Sequence, residues 1–215
     1  MRGFVIVFPM PDLYSNIHLL VRWLHVIAGI TWIGHLYFFN FVNLPLQAAL
    51  DDPTKKIVNP QLMPRALWWF RWGAMITFFA GLILFTLVYM YTPGVGFGPT
   101  ALLMDAAGLT GRGMWILFGM GLGLVMWYNV WMIIWPTQKR LLTGKVPADQ
   151  VPAQRKKAAL FSRINTYLSA PMLFGMLAPS HYGTMHPAVI VAAILIAEAA
   201  IWRAYKASSV VGKLS

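Results

Sequence analysis

The sequence predicts an all-α integral membrane protein, a helical bundle of about five transmembrane helices with its N-terminus outside and its C-terminus in the cytoplasm. Hydrophobic residues make up 59% of the 215 residues and charged residues only 11%, whereas a soluble domain carries roughly 25% charged residues. Five apolar stretches approach or exceed the ~20 residues that a membrane span needs. Lysine and arginine are concentrated between those stretches. Lipid is therefore the expected outer solvent.

The apolar stretches and their flanking prolines predict where the helices lie, within a single transmembrane domain that covers residues 1–215. We expect helices at about 17–46, 66–91, 114–135, 158–177 and 187–205. Pro64, Pro93 and Pro136 are predicted boundaries, because proline has no amide hydrogen and disrupts a helix interior. Pro187 begins the fifth helix, a position where proline is favoured. The Gly/Pro-rich stretch 93–113 is predicted to be an ordered surface loop.

The distribution of positive charge predicts the orientation. One side collects 14 of the 17 lysines and arginines if it holds the links between helices one and two and between helices three and four, the C-terminal tail, and nearby Arg71 and Arg203. The other side keeps Arg2, Arg22 and Arg112. Because basic loops stay in the cytoplasm, the first side faces inwards. This pattern accounts for the net charge of +11 without nucleic acid as a partner.

Histidine is the residue type most suited to hold a cofactor in this chain. Cysteine is absent, which excludes disulfides, thiolate metal sites, iron–sulfur clusters and covalently attached c-type haem. The five histidines are His18, His25, His35, His181 and His186. All but His35 are predicted near the outer face, at the start of helix one or beside the turn between helices four and five. We therefore expect a cofactor site on that side.

Two imidazoles that face each other across a helix bundle are suited to axial ligation of a b-type haem. We favour His25 with His181. An unpaired imidazole at His25, inside an apolar helix, would be costly, and His181 follows a helix end that can point it inward. His35 lies ten residues beyond His25 without an obvious histidine partner. A second haem at His35, with methionine or an open position opposite, is left open.

Structural roles compete with ligation at each histidine. His18 and His186 lie at predicted helix ends, where a hydrated or capping histidine is ordinary. His25 and His35 can instead donate to a backbone carbonyl or to a tyrosine of a neighbouring helix. Arg22, one turn before His25, can bind a haem propionate or extend to lipid headgroups.

Two further features have packing interpretations. Gly119 and Gly123 form a small-xxx-small face in the third helix, which favours close approach of a neighbouring helix. Glu198, the only glutamate, can act as a proton-relay carboxylate or as an ion-pair partner of Arg71 or Arg163. Of these two roles for Glu198 we favour the ion pair.

Five segments carry a resemblance to a known family. They are RWLHVIAGITWIG at 22–34, WFRW at 69–72, NVWMIIWPTQK at 129–139, NTYLSAPMLF at 165–174 and SHY at 180–182. In this order they resemble the N-terminal membrane domain of the bacterial membrane-bound, cytochrome c-linked urate oxidases. The histidines that match the family motifs are His25 and His181, whereas His35 matches none. Full-length members are longer and usually carry a C-terminal cytochrome c domain, so a shortened form without that domain is expected.

The resemblance implies a multi-pass module of a bacterial inner (plasma) membrane. This module would pass electrons to or from a periplasmic cytochrome c or another membrane redox subunit, with urate as a candidate donor. Together with the histidines, it predicts a haem-b-binding electron-transfer protein with one haem. Two alternatives stay open: a urate oxidase-like membrane dehydrogenase that uses the same haem, and a cofactor-free accessory or assembly subunit of a respiratory membrane complex. No catalytic residue is assigned.

Overall fold

The computed structural model describes residues 12–212, and five long helices fill most of that range. They are α1 (Leu13–Ala49), α2 (Asp52–Tyr89), α3 (Gly111–Leu142), α4 (Val151–Leu177) and α5 (Pro187–Ser208). Of these, α1, α2, α3 and α5 are long and apolar enough to cross a membrane. The prediction of an all-α membrane bundle is confirmed.

Helix α4 is the long helix that does not qualify as a membrane span by apolar content. It packs against α3 and α5 and also contacts α1. Asn165, Thr166 and Ser169 on α4 are fully buried between these neighbours, so their polar groups do not face lipid. The first half of α4 also carries a basic cluster that includes Arg155 and Lys156. Both features lower its apolar content without removing it from the bundle.

The first two helices are longer than a bilayer is thick. At 1.5 Å per residue, the 37 residues of α1 and the 38 residues of α2 extend about 55 Å and 57 Å, against ~30 Å of hydrocarbon. Gln47 and Asn59 join their projecting ends through reciprocal amide hydrogen bonds of 2.8 and 3.0 Å. Asp51 caps α2 by accepting a hydrogen bond from the Thr54 amide, and its bonds with Thr54 lower the pKa of the Asp51 carboxyl. The pair therefore forms a helical extension beyond the membrane.

The predicted start of the second helix and the predicted end of the third are wrong. Helix α2 begins at Asp52 rather than near 66, so Pro64 lies inside it, and α3 continues past Pro136 to Leu142. A π-helical turn, Asn129–Ile134, precedes Pro136, and the same device, Phe38–Asn43, precedes Pro45 in α1. The wider turn changes the hydrogen-bond pattern before the proline ring. Each helix can therefore continue through its proline.

The core joins the first four helices. Its members are Trp32, Ile33, Leu36, Leu67, Phe70, Ala74, Met126, Val130, Ile134 and Met172. The backbones of α3 and α4 meet where Gly119 faces Gly175: a Cβ added at Gly175 would lie 2.8 Å from the Gly119 Cα. Gly123 lies close to Met172 and Met176 of α4. The predicted small-residue face of the third helix is thus confirmed as a packing surface.

Contacts between helix ends define two ends of the bundle. At the first, the Tyr14 hydroxyl donates to the Leu87 carbonyl at 2.6 Å, and the Trp115 indole donates to the Thr184 carbonyl at 3.1 Å. The start of α1, the end of α2, the start of α3 and the α4–α5 turn therefore lie together. We call this the outer end, following the predicted orientation. Within it, the predicted surface loop forms two short hairpins: β1 (Tyr91–Thr92) with β2 (Gly96–Phe97), and β3 (Met104–Asp105) with β4 (Gly108–Leu109).

The other half of the bundle carries nearly all of the positive charge. Here the Tyr205 hydroxyl donates to Asn40 Oδ1 at 2.9 Å, and Asn40 Nδ2 donates to Ser162 Oγ at 2.8 Å, which joins α5, α1 and α4. Every lysine and arginine within residues 12–212 belongs to this half except Arg22 and Arg112; two more basic residues of the sequence, Arg2 and Lys213, lie outside the described range. We call it the basic end. The positive-inside rule predicts that this end faces the cytoplasm.

Candidate functional site

His25 lies on α1 where this helix packs against α2. Its Nδ1 is 2.9 Å from the backbone carbonyl oxygen of Thr77. Because a carbonyl only accepts, Nδ1 carries the hydrogen, and Nε2 of the neutral ring keeps its lone pair. Gly81, one turn further along α2, makes room for the ring: a Cβ there would lie 3.0 Å from His25 Cε1. Helix α2 thus fixes both the orientation and the tautomer of His25.

His18 has the opposite arrangement. The Arg22 guanidinium donates to His18 Nε2 at 2.9 Å, so the lone pair of that nitrogen is already engaged. His18 and Arg22 lie one turn apart on α1, on the outer side of His25. The contact distinguishes His18, a partner of Arg22, from His25, whose Nε2 makes no hydrogen bond within residues 12–212.

The two histidines furthest from the favoured pair have local roles. His35 Nδ1 donates to the carbonyl oxygen of Thr31, four residues earlier in α1, at 2.7 Å. His186 is the N-terminal cap of α5, because its Nδ1 accepts a hydrogen bond of 3.2 Å from the Ala188 amide. The expectation of a capping role for His186 is confirmed. The His35 contact is with a backbone carbonyl of its own helix and not with a neighbouring helix, and its Nε2 makes no hydrogen bond among the described residues.

His181 lies in the turn between α4 and α5, just after the 3₁₀ turn Ala178–Ser180. Its side chain is exposed and makes no hydrogen bond with any residue that the structure describes. The neighbouring Tyr182 ring packs against Trp115 and Phe174, which anchors the turn to α3. The turn with His181 thus lies at the outer end of the bundle, whereas His25 lies 12 residues into α1, and no contact joins the two imidazoles.

The residues around His25 fit an axial ligand of haem iron on one side of the porphyrin. The lone pair of Nε2 is not used by the protein, and the opposite ring nitrogen donates to a carbonyl, an arrangement typical of metal-bound histidine. No group of three or more His, Asp or Glu side chains within residues 12–212 could hold a bare metal ion. A haem iron needs only one or two protein ligands, and His25 Nε2 could supply one of them.

The predicted ion pair of Glu198 is wrong. The single ion pair among the described residues joins Lys55 and Asp52 at 3.4 Å. Both expected partners of Glu198 lie over aromatic rings instead: the Arg71 guanidinium is 3.7 Å from the centre of a Trp135 ring, and Arg163 lies over Tyr205. Contact with an aromatic face stabilises an arginine at less desolvation cost than a buried carboxylate would.

Two polar features lack an individual signal in the sequence. Asn129 Nδ2 donates to Asn165 Oδ1 at 2.8 Å, and Asn165 Nδ2 donates to the Met126 carbonyl at 2.9 Å. This fully buried network joins α3 to α4, as expected for asparagine between membrane helices.

The second feature is a groove at the basic end whose lining comes from α1, α4 and α5. Sequence reasoning missed it because residues far apart in the chain build it.

The segments that carry the family resemblance converge in the folded chain. Trp32, Phe70 and Val130 meet in the core, and Asn165 lies buried beside it. The sequence model of the family described as "Urate oxidase N-terminal" matches residues 11–57, 50–97 and 99–212. No curated protein and no solved structure is significantly similar to the chain. Because the matched segments cover nearly its whole length, the chain belongs to the urate oxidase N-terminal family.

Proposed function

We propose that this protein is a haem-b-binding electron-transfer protein of a bacterial inner membrane, with His25 as an axial ligand of the haem iron. The observation that carries the proposal is the hydrogen bond from His25 Nδ1 to the Thr77 carbonyl. It leaves the lone pair of Nε2 free to bind a metal, within a membrane helix where an imidazole without a role is costly.

The residues around the ligand have defined tasks in this proposal. The carbonyl of Thr77 holds the imidazole plane and makes Nε2 more basic, which strengthens a bond to iron. Arg22 donates one guanidinium hydrogen to His18, and its remaining hydrogens can hold a propionate. Bound haem supplies a one-electron redox couple whose potential depends on its axial ligands.

We propose His181 as the second axial ligand. It lies at the outer end of the bundle, its imidazole makes no hydrogen bond among the described residues, and it lies in a turn rather than in a helix. The electron partner on this side would be a periplasmic cytochrome c or a partner subunit. His25 lies 12 residues after Leu13, the first residue of α1, or about 18 Å along the helix.

Two alternatives have support of their own. Membership of the urate oxidase N-terminal family favours a membrane dehydrogenase that reduces the same haem with electrons from urate. The carbonyl contact of His25 with Thr77 of α2 favours a cofactor-free accessory subunit in which this histidine serves helix packing, and the bond of His35 to Thr31 within α1 likewise needs no cofactor.

An absorption spectrum of the purified protein separates these functions. We expect a Soret band and a pyridine haemochrome of the b type. His25→Ala and His181→Ala should each lose the reduced α-band, whereas His18→Ala should keep it, since its ring nitrogen is bonded to Arg22. Protein without a Soret band would overturn both haem functions and leave the accessory subunit. Reduction of the haem by urate would establish the dehydrogenase.

A further inference from the structure

A groove of about 550 Å³ with polar and apolar walls opens at the basic end, between α1, α4 and α5. Its lining includes Asn40, Arg163, Tyr167, Trp202, Tyr205 and Lys206. None of these residues belongs to the candidate haem site, which lies towards the outer end. Haem binding therefore does not explain the residues that line the groove.

Two cations in the groove have no carboxylate partner within residues 12–212. The Arg163 guanidinium lies 5.3 Å from the centre of the Tyr205 ring, and Lys206 Nζ lies 5.6 Å from the centre of the Trp202 ring. The only ion pair among the described residues is elsewhere, between Lys55 and Asp52. Aromatic faces therefore hold both cations in place, while their charge is left for an anion.

The hydroxyl groups of the groove indicate which kind of anion it could bind. Tyr205 donates its hydroxyl hydrogen to Asn40 Oδ1, and Ser209 donates to the Lys206 carbonyl. Tyr167 is different: its ring stacks on Tyr205 with centroids 5.7 Å apart, and its hydroxyl makes no hydrogen bond within residues 12–212. The groove therefore offers two cations and one free hydroxyl donor, a set suited to the oxygens of a phosphate.

The position of the groove points to a lipid as the source of that phosphate. Helix α5 ends at Ser208, so Tyr205 and Lys206 lie in its last turn, at the level of the inner headgroups. Trp202, one turn deeper, is 54% exposed, as expected for an aromatic belt in contact with lipid. Basic pockets between membrane helices on the cytoplasmic side are suited to anionic headgroups.

We propose that this groove binds the phosphate of an anionic phospholipid of the inner leaflet, with Arg163 and Lys206 contacting its oxygens and Tyr167 donating a hydrogen bond. The acyl chains would lie along Trp202. The site is independent of haem binding and gives the bundle a fixed lipid contact where α1, α4 and α5 meet.

The test measures retention of phosphatidylglycerol by the purified full-length chain in native mass spectrometry, with phosphatidylcholine as the uncharged reference. The paired change Arg163→Ala/Lys206→Ala should weaken phosphatidylglycerol binding about 25-fold, about 5-fold for each cation. The matched control is Arg155→Ala/Lys156→Ala, which removes two exposed cations from α4 outside the groove. This control should leave binding unchanged. Tyr167→Phe, which keeps the stacked ring, should weaken binding a few-fold and gives a mild variant if the paired change misfolds.

Three results would overturn the proposal. The first is an equal loss of phosphatidylglycerol in the groove variant and in the Arg155/Lys156 control, which would indicate general attraction to positive charge. The second is equal retention of phosphatidylcholine and phosphatidylglycerol by the unmodified protein. The third is displacement of phosphatidylglycerol by millimolar inorganic phosphate, which would make a soluble phosphate the ligand.

Discussion

The contact between Gly119 and Gly175 allows a sharp test of how α3 and α4 pack. In Gly175→Ala, the new Cβ would lie 2.8 Å from the Gly119 Cα, 2.9 Å from its nitrogen and 2.9 Å from Phe118 Cδ1. Carbon atoms in ordinary contact are about 3.5–4.0 Å apart, so the helices must separate by about 1 Å. The nearest atoms are backbone atoms, which cannot rotate aside.

The expected change in the free energy of unfolding follows from two opposing effects. Overpacking of this kind costs about 1–3 kcal/mol, whereas replacement of a helical glycine by alanine stabilises the helix by about 1 kcal/mol. Gly175→Ala should therefore lower the free energy of unfolding by about 1 kcal/mol. Gly121→Ala is the matched control, because Gly121 lies on the same helix as Gly119 and a Cβ there would meet nothing within 4 Å. It should raise the free energy of unfolding by up to about 1 kcal/mol.

The free energy of unfolding of both variants and of the unmodified chain can be measured by titration with sodium dodecyl sulfate in mixed micelles. Circular dichroism follows the loss of helicity during the titration. The predicted signs are opposite, so the comparison does not depend on the absolute scale of the titration. Equal stability of Gly175→Ala and Gly121→Ala would show that α3 and α4 do not meet at these glycines.

Two other predictions concern the ligand and the topology. Gly81→Ala should displace the His25 imidazole, since the new Cβ would lie 3.0 Å from its Cε1, and should weaken or shift the haem spectrum; Gly34→Ala, with nothing within 4 Å, should leave the spectrum unchanged, and an identical response of both would contradict the arrangement. The chain has no cysteine, so exposed Ser180→Cys should react with a membrane-impermeant maleimide added outside intact cells, whereas Ser209→Cys should react only after lysis. Labelling of both positions, or of neither, before lysis would refute the assigned orientation.

The number and direction of the helices could be predicted because they depend on properties that the sequence displays directly. Apolar length and the placement of lysine and arginine are local properties of the sequence. The structure accordingly has five long helices, with nearly all of the described basic residues at one end. The prolines misled the boundary predictions, since Pro64 and Pro136 lie inside helices. Whether a proline ends a helix depends on what surrounds it: Pro64 is exposed, and Pro136 follows a π-helical turn. Neither condition can be read from the proline itself.

Some features of the candidate site could likewise be predicted from the sequence, and others could not. The prediction that His25 and His181 share one side followed from counting helices, and contacts at the outer end join the start of α1 to the end of α2, and the start of α3 to the turn that carries His181. The tautomer of His25 and the engaged nitrogen of His18 depend on partners at 2.9 Å, one of them 52 residues away. Spacing along the chain carries no information on such contacts. The predicted ion pair of Glu198 is wrong for the same reason: Arg71 and Arg163 contact aromatic rings from other parts of the chain instead of the Glu198 carboxylate.

Helix α4 is the element on which the functional argument depends most. By apolar content alone only the other four long helices qualify as membrane spans, and without α4 as a span the turn with His181 would lie at the basic end. The contacts show otherwise: Ser162 near the middle of α4 bonds to Asn40 at the basic end, and the turn after α4 accepts the Trp115 indole hydrogen at the outer end. A central helix is shielded from lipid by its neighbours, so it can bury Asn165 and Ser169 and still cross the membrane. The low hydropathy of α4 thus reflects its buried polar residues and its basic first half, and its course from the basic end returns the turn with His181 to the outer end.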